Sequence, residues 1–205
     1  VDTYRCEDAD YLIVGQGSMT VQAEAVADWF RAERKVKVGV VHVTLFRPFP
    51  GDLLGRVLKG RKGVVVLERT DQPLAEDLPL MREVRATVAK CLENGSAEGA
   101  YPGYASYASV RDMPRLYSGC YGLGSRDLQP EGLVAAVENM LEGGKGEKRG
   151  GQRKFFYLSV DFVRDAAATP KQEIQLEALL EAYPRIRELA LRGSENPNLM
   201  PHGAI

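Results

Sequence analysis

The sequence predicts an α/β protein of three layers, α/β/α, with helices on both faces of a mostly parallel sheet. Three observations carry that prediction. Short apolar runs such as Tyr11-Leu12-Ile13-Val14 and Gly63-Val64-Val65-Val66-Leu67 are apolar throughout rather than alternating, which suits strands buried on both faces. Between them lie stretches whose apolar residues recur at helical spacing. The two kinds of segment take turns along the chain, and such alternation builds a parallel sheet through crossover helices.

The first strand, Tyr11 to Val14, runs into Gly15-Gln16-Gly17-Ser18, and Val21, Ala25, Val26, Trp29 and Phe30 then propose one helix face. The second strand is expected within Val36 to Phe46. It stops at Arg47-Pro48-Phe49-Pro50, because proline cannot donate to a ladder. Leu53, Leu54, Val57 and Leu58 give a short amphipathic helix closed by Gly60, and Gly63 to Glu68 supplies the third strand. Met81, Val84, Val88 and Cys91 form the next helical face, with an end expected at Asn94-Gly95. Ser96 to Asp112 reads as an ordered surface loop. Its Tyr101, Tyr104 and Tyr107 could stack on a base, but Pro102 and Gly103 make a helical platform improbable.

Leu116 to Tyr121 is the fourth strand, followed by Gly122-Leu123-Gly124-Ser125 and a helix from Pro130 with Leu133, Val137, Met140 and Leu141 inward. The glycine- and charge-rich residues 143–154 read as a linker, so a compact unit is expected over 1–142. Residues 155–205 read as a strand-helix arm leading toward another domain. Phe155 to Val163 is its strand, Thr169-Pro170-Lys171-Gln172 a helix start, and Pro184 a kink. The opening at Val1 and the close at Ile205 suggest a piece of a longer protein.

Composition narrows the function. The 205 residues carry 27 Lys+Arg against 28 Asp+Glu, and 44% are apolar, as in a globular protein rather than a disordered tail. A net charge of −1 argues against gripping nucleic acid, which needs a gathered excess of cations. No apolar run is long enough for a membrane span and no signal-peptide pattern opens the chain, so a cytoplasmic protein is expected. Cys6, Cys91 and Cys120 contain no CxxC pair, and three thiols cannot by themselves ligate an iron–sulfur cluster or a structural zinc.

Two places could carry chemistry. Gly15, Gly17 and Ser18 could cradle a phosphate at a helix N-terminus, although the fingerprint's third glycine is replaced by Thr20; the alternative is a tight strand-to-helix turn. Glu68, Arg69 and Asp71, joined by Arg47, should gather where parallel strands end. They would serve either a carboxylate or phosphate ligand or an inter-domain ion-pair network. His42, within the second strand, reads as a packed histidine, and His202 lies in the terminal tail. No Ser/His/Asp order, HExxH or P-loop lysine is present, so the chain lacks a catalytic constellation and no metal site is expected.

Four motifs in register carry a resemblance. Leu12-Ile13-Val14-Gly15-Gln16-Gly17-Ser18, Leu45-Phe46-Arg47-Pro48-Phe49-Pro50, Val66-Leu67-Glu68-Arg69-Thr70 and Tyr121-Gly122-Leu123-Gly124-Ser125-Arg126-Asp127-Leu128 resemble the second domain of pyruvate (2-oxoacid):ferredoxin or flavodoxin oxidoreductases. That domain is similar to the C-terminal domain of transketolase-type enzymes. The resemblance implies an enzyme that oxidatively decarboxylates a 2-oxoacid on thiamine diphosphate with Mg²⁺. It passes electrons through [4Fe–4S] clusters to ferredoxin or flavodoxin and the acyl group to coenzyme A. It further implies that this segment holds none of those cofactors, is inactive alone, and docks on other domains or subunits through Arg47, Glu68, Arg69, Gly122, Gly124 and Ser125. Asp71 and Cys120 stand where the family usually has Lys and Arg, which weakens any contact of those places with an anionic ligand. Two other readings stay open: a free nucleotide- or coenzyme-A-binding module, and the C-terminal part of a transketolase or E1 β-type subunit.

Overall fold

A computed structural model describes residues 1–72, 74–97, 99–123, 127–143, 152–158 and 181. The apolar runs form a six-stranded sheet of β1 (Asp2–Tyr4), β2 (Tyr11–Gly15), β3 (Val38–His42), β4 (Gly63–Glu68), β5 (Arg115–Tyr121) and β6 (Phe155–Leu158). Their order across the sheet is β1-β3-β2-β4-β5-β6. Every neighbouring pair is parallel except β1 with β3, so the expected three-layer α/β/α architecture is the one found. β1 is a short polar edge strand with no apolar run to announce it; it exists because β3 offers a ladder edge, with Thr3 opposite Val41.

The helices are α1 (Met19–Trp29), α2 (Gly51–Leu58), α3 (Pro79–Ser96) and α4 (Pro130–Met140). α1 and α4 cover one face in a core that includes Ile13, Phe30, Val40, Val65, Tyr117, Leu133 and Phe156. α2 and α3 cover the other over Leu12, Val14, Val41, Val64 and Val66, with Leu54, Met81 and Val84 from the helices. Alternate residues of each strand therefore feed opposite cores, as the pleat requires.

Three element readings need correction. The inward face of α1 is Met19, Ala23, Val26 and Ala27, while Val21 is 64% and Trp29 40% exposed. Two alanines let the helix sit close to the strands, and that contact outweighs the bulkier side chains in choosing the face. The helix then widens into a π turn, Phe30–Arg34, with Phe30 fully buried and Lys35 left-handed at φ 55°. β3 ends at His42, short of Phe46, although Val43 N–H still reaches Gly15 O at 2.9 Å. α3 runs through Asn94-Gly95 to Ser96, because this glycine is needed for space: a Cβ at Gly95 would lie 1.7 Å from Tyr107 O.

β6 lies beyond the glycine-rich segment yet pairs parallel with β5, Ser118 opposite Phe155 and Tyr121 opposite Leu158. The sheet thus draws on both sides of residues 143–154. The helix start at 169–172 and the kink at Pro184 lie outside the described residues.

Candidate functional site

The chain leaves β2 through α1 to reach β3 on one side, then returns through α2 to β4 on the other. The carboxyl ends of β2 and β4 therefore flank the point where the winding reverses, the place where open α/β sheets form ligand crevices. Gly15, Gly17 and Ser18 stand on the β2 side and Glu68 and Arg69 on the β4 side, so the structure brings the two candidate groups to one edge.

The β2–α1 turn is knit internally. Gly17 has φ +71°, and its carbonyl accepts Thr20 Oγ1 at 2.6 Å and Thr20 N–H at 3.2 Å. Gln16 Nε2 donates to Val43 O at 3.4 Å, and Ser18 makes no side-chain cap. Gly15 is small for packing: a Cβ would fall 2.1 Å from Met19 Cε and 3.3 Å from Leu67 O. Thr20, at the position of the missing third glycine, is buried.

Glu68 is buried, and its two oxygens accept Leu80 N–H at 2.6 Å and Met81 N–H at 3.0 Å. α3 begins with Leu78 as cap and Pro79 behind it, which offers no capping side chain of its own, so the carboxylate at the end of β4 closes the helix N-terminus from outside. Burial pushes the Glu68 carboxyl above its usual range, against the opposing pull of those two N–H groups. Arg69 is exposed and lies along the Gly122 backbone, Nε 3.4 Å from Gly122 O. Gly122 has φ +68°, and a Cβ there would meet Arg69 Cγ at 2.9 Å. Gly124 and Ser125 lie outside the described residues.

Arg47 does not reach Glu68 or Asp71. Its guanidinium stacks 4.2 Å from the Phe46 ring centroid, donates to Phe46 O, and pairs with Glu83 of α3 at 2.8 Å. The reason is that both expected partners are engaged elsewhere: Glu68 caps α3, and Asp71 accepts Tyr157 Oη–H at 3.0 Å across the β5–β6 edge. Beneath that bridge Cys120 Sγ–H donates to Thr70 O at 2.9 Å, and burial, helped by Asp71 and Glu68, pushes its thiol up to about 12. Cys6 and Cys91 are also buried and free. Among the described residues no group of three His, Cys, Asp or Glu could hold a metal ion.

His42 is the last residue of β3 rather than a mid-strand one, and its Nε2 stands 3.0 Å from Glu24 Oε1 on α1. The tyrosines form no stacking platform. Tyr107 is buried with its hydroxyl on Gly55 O, and the Tyr101 and Tyr104 rings meet at 64°. The Glu68 cap and the Asp71–Tyr157 bridge are the features that sequence reading missed; the signal for the first was a helix opening on Leu78-Pro79 with no capping residue, just after an acidic strand end.

Residues 9–98 match the family model described as pyruvate:ferredoxin oxidoreductase core domain II. This segment belongs to that domain family. The pyruvate synthase subunit PorA of Thermotoga maritima is 36% identical over 143 residues, 70% of this chain and 31% of the relative. The probable pyruvate-flavodoxin oxidoreductase of Escherichia coli is 33% identical over 138 residues, 67% of this chain and 11% of the relative. The ketoisovalerate oxidoreductase subunit VorA of Pyrococcus furiosus is 29% identical over 151 residues, 72% of this chain and 33% of the relative. The chain thus spans a third or less of the relatives it matches. No helix among the described residues is long and apolar enough to cross a membrane.

Proposed function

We propose that this chain is the assembly domain of a 2-oxoacid:ferredoxin or flavodoxin oxidoreductase, presenting the carboxyl edge of its sheet to neighbouring domains or subunits. The observation that carries the reading is the fate of Glu68. Glu68, the one buried carboxylate among the described residues of the edge where such sheets bind ligands, is consumed in capping α3, so it neither moves a proton nor holds a cation. Arg47 and Arg69 remain as the surface that neighbours would meet, whereas Gly122, expected there, is buried beneath the Arg69 side chain. The sheet unit is best bounded after Leu158, since β6 pairs with β5.

The chain's own donors do not fit the family's cofactors. Three buried thiols, with Cys6 pushed up to about 11 and Cys120 to about 12, make poor and too few ligands for a [4Fe–4S] cluster. A diphosphate with Mg²⁺ needs oxygen ligands, and among the described residues no three of His, Cys, Asp or Glu gather to hold a metal ion. On this reading thiamine diphosphate, the clusters and coenzyme A are held by other parts of the enzyme, which would oxidatively decarboxylate the 2-oxoacid in the cytoplasm. Thermal melting of the chain with thiamine diphosphate and Mg²⁺, and separately with coenzyme A, tests this: no shift is expected, since only a ligand of the native state stabilises it. A concentration-dependent rise with coenzyme A would favour the binding-module reading instead.

A further inference from the structure

Folding and chemistry make opposite demands on the last turn of α3. Asn94-Gly95 there is the chain's single Asn-Gly pair. Such a pair is labile, because glycine has no Cβ to shield its backbone nitrogen from the preceding side-chain amide. When that nitrogen attacks, a bond forms from Gly95 N to Asn94 Cγ and the Cγ–Nδ2 bond breaks, the amide group taking up the nitrogen's proton and leaving as ammonia. Water then opens the cyclic imide at either of its two carbonyls, giving aspartate or isoaspartate.

The fold needs both members of the pair. Asn94 is 7% exposed; its Nδ2 donates to Tyr101 O at 2.8 Å and to Tyr104 O at 3.2 Å, and its Oδ1 accepts Tyr101 N–H at 2.6 Å. Gly95 is where the returning loop lies against the helix, so close that a Cβ would fall 1.7 Å from Tyr107 O. The same contacts hold the reaction off. All three hydrogen bonds must break before Asn94 Cγ can turn toward the Gly95 nitrogen, and the helical backbone directs that nitrogen's N–H along the axis, away from Cγ. Two bonds from α2 keep the loop closed: Tyr107 Oη–H donates to Gly55 O at 2.7 Å, and Arg56 Nη2 donates to Gly103 O at 2.9 Å.

We propose that Asn94 is a one-way covalent latch: it keeps its amide while residues 101–107 lie closed on α3, and opening of that loop exposes it to conversion into aspartate or isoaspartate. A carboxylate has no N–H for Tyr101 O and Tyr104 O, and it sets its own oxygens against those carbonyls in a site shielded from water. Isoaspartate also adds a backbone carbon within the last turn of α3. The converted loop stays open, and Tyr107 is drawn out of the core that it fills between α2 and α3.

Peptide mapping of the 205-residue chain held at mildly alkaline pH tests it, residue 94 being read by the mass gain of amide-to-acid exchange and by fragmentation that tells isoaspartate from aspartate. The chain in concentrated urea should convert about a hundredfold faster than the folded chain. Tyr107→Phe removes the bond to Gly55 O and leaves the Asn-Gly pair untouched, so the folded chain should convert about tenfold faster. Arg56→Ala, on the surface of α2, should act in the same direction. Ile13→Val, which loosens the α1–α4 core far from the loop, should leave the folded rate unchanged. Converted chain separated by ion exchange should be cut readily near Tyr101 by a protease that spares the unconverted chain. The proposal is overturned if folded and unfolded chains convert at one rate, if neither Tyr107→Phe nor Arg56→Ala speeds the folded chain, if Ile13→Val speeds it as much as they do, or if the converted chain is as protease-resistant as the original.

Discussion

Glu68 and Arg47 show how two charged residues at neighbouring strand ends come to different duties. Glu68 is held by two backbone N–H groups, so Glu68→Ala should cost about 1–3 kcal/mol, as a lost helix cap and two unmet donors do. The charge itself has a signed pH effect. Because burial raises the folded carboxyl above its value of 4.5 in the open chain, a rise in pH ionises the unfolded state first, and stability is lost from about that pH up through the folded value. Urea midpoints of wild type and Glu68→Gln should therefore diverge at higher pH, the wild type losing stability relative to Gln as pH climbs; parallel curves would mean that Glu68 does not titrate differently on folding. Arg47 is the contrasting case. Its pair with Glu83 is exposed, so Arg47→Ala should cost this chain only about 0–1 kcal/mol. In the whole enzyme the same change should weaken assembly or turnover more, because a docked neighbour would leave Glu83 buried without its cation. A large loss of stability in the chain itself, with assembly unchanged, would place Arg47 in the internal fold.

At the scale of elements, what could be read in advance depended on how local the cause was. β2, β4, β5 and the start of α4 were legible because a continuous apolar run or an early proline carries its own cause. The face of α1 was not, since Val21 and Trp29 are more apolar than Ala23 and Ala27 but too large for the close approach to the sheet. β1 was invisible because its reason lies in β3, and the Glu68 cap because its donors sit across an intervening loop. The end of α3 belongs to the same class. There Asn94 straps the loop that follows: its amide donates to Tyr101 O and Tyr104 O, and its Oδ1 accepts Tyr101 N–H at 2.6 Å. Next to it Gly95 leaves room for Tyr107 O. Asn94→Ala should cost about 1–3 kcal/mol and open the loop to limited proteolysis near Tyr101. Gly95→Ala should do more, since a methyl 1.7 Å from a carbonyl oxygen cannot be fitted without moving the loop backbone. Lys90→Ala is the control: it removes only a cation near the Tyr101 and Tyr104 rings, and protease resistance should persist.

For the whole molecule the question is where the folding unit stops, and composition misleads there. The glycine- and charge-rich stretch after Leu141 has the look of a boundary, yet the chain returns from it to add β6. Phe156 is 3% and Leu158 2% exposed in the α1–α4 core, and Gln152 and Arg153 bond back to Met140 O, Leu141 O and Asn139. Cutting at Glu142 would strip β5 of its partner along one edge and remove two fully packed apolar side chains, each contributing about 1.5–3 kcal/mol. The loss of about 3–6 kcal/mol is comparable with the whole stability of a domain of this size. A chain of residues 1–158 should therefore unfold cooperatively, whereas residues 1–142 should melt far lower or aggregate through the bared β5 edge. Equal melting temperatures for the two would show that β6 is an appendage and that the unit closes before the glycine-rich stretch. An intact midpoint for 1–158 combined with a further rise in the full chain would instead locate additional stabilising contacts in residues 159–205.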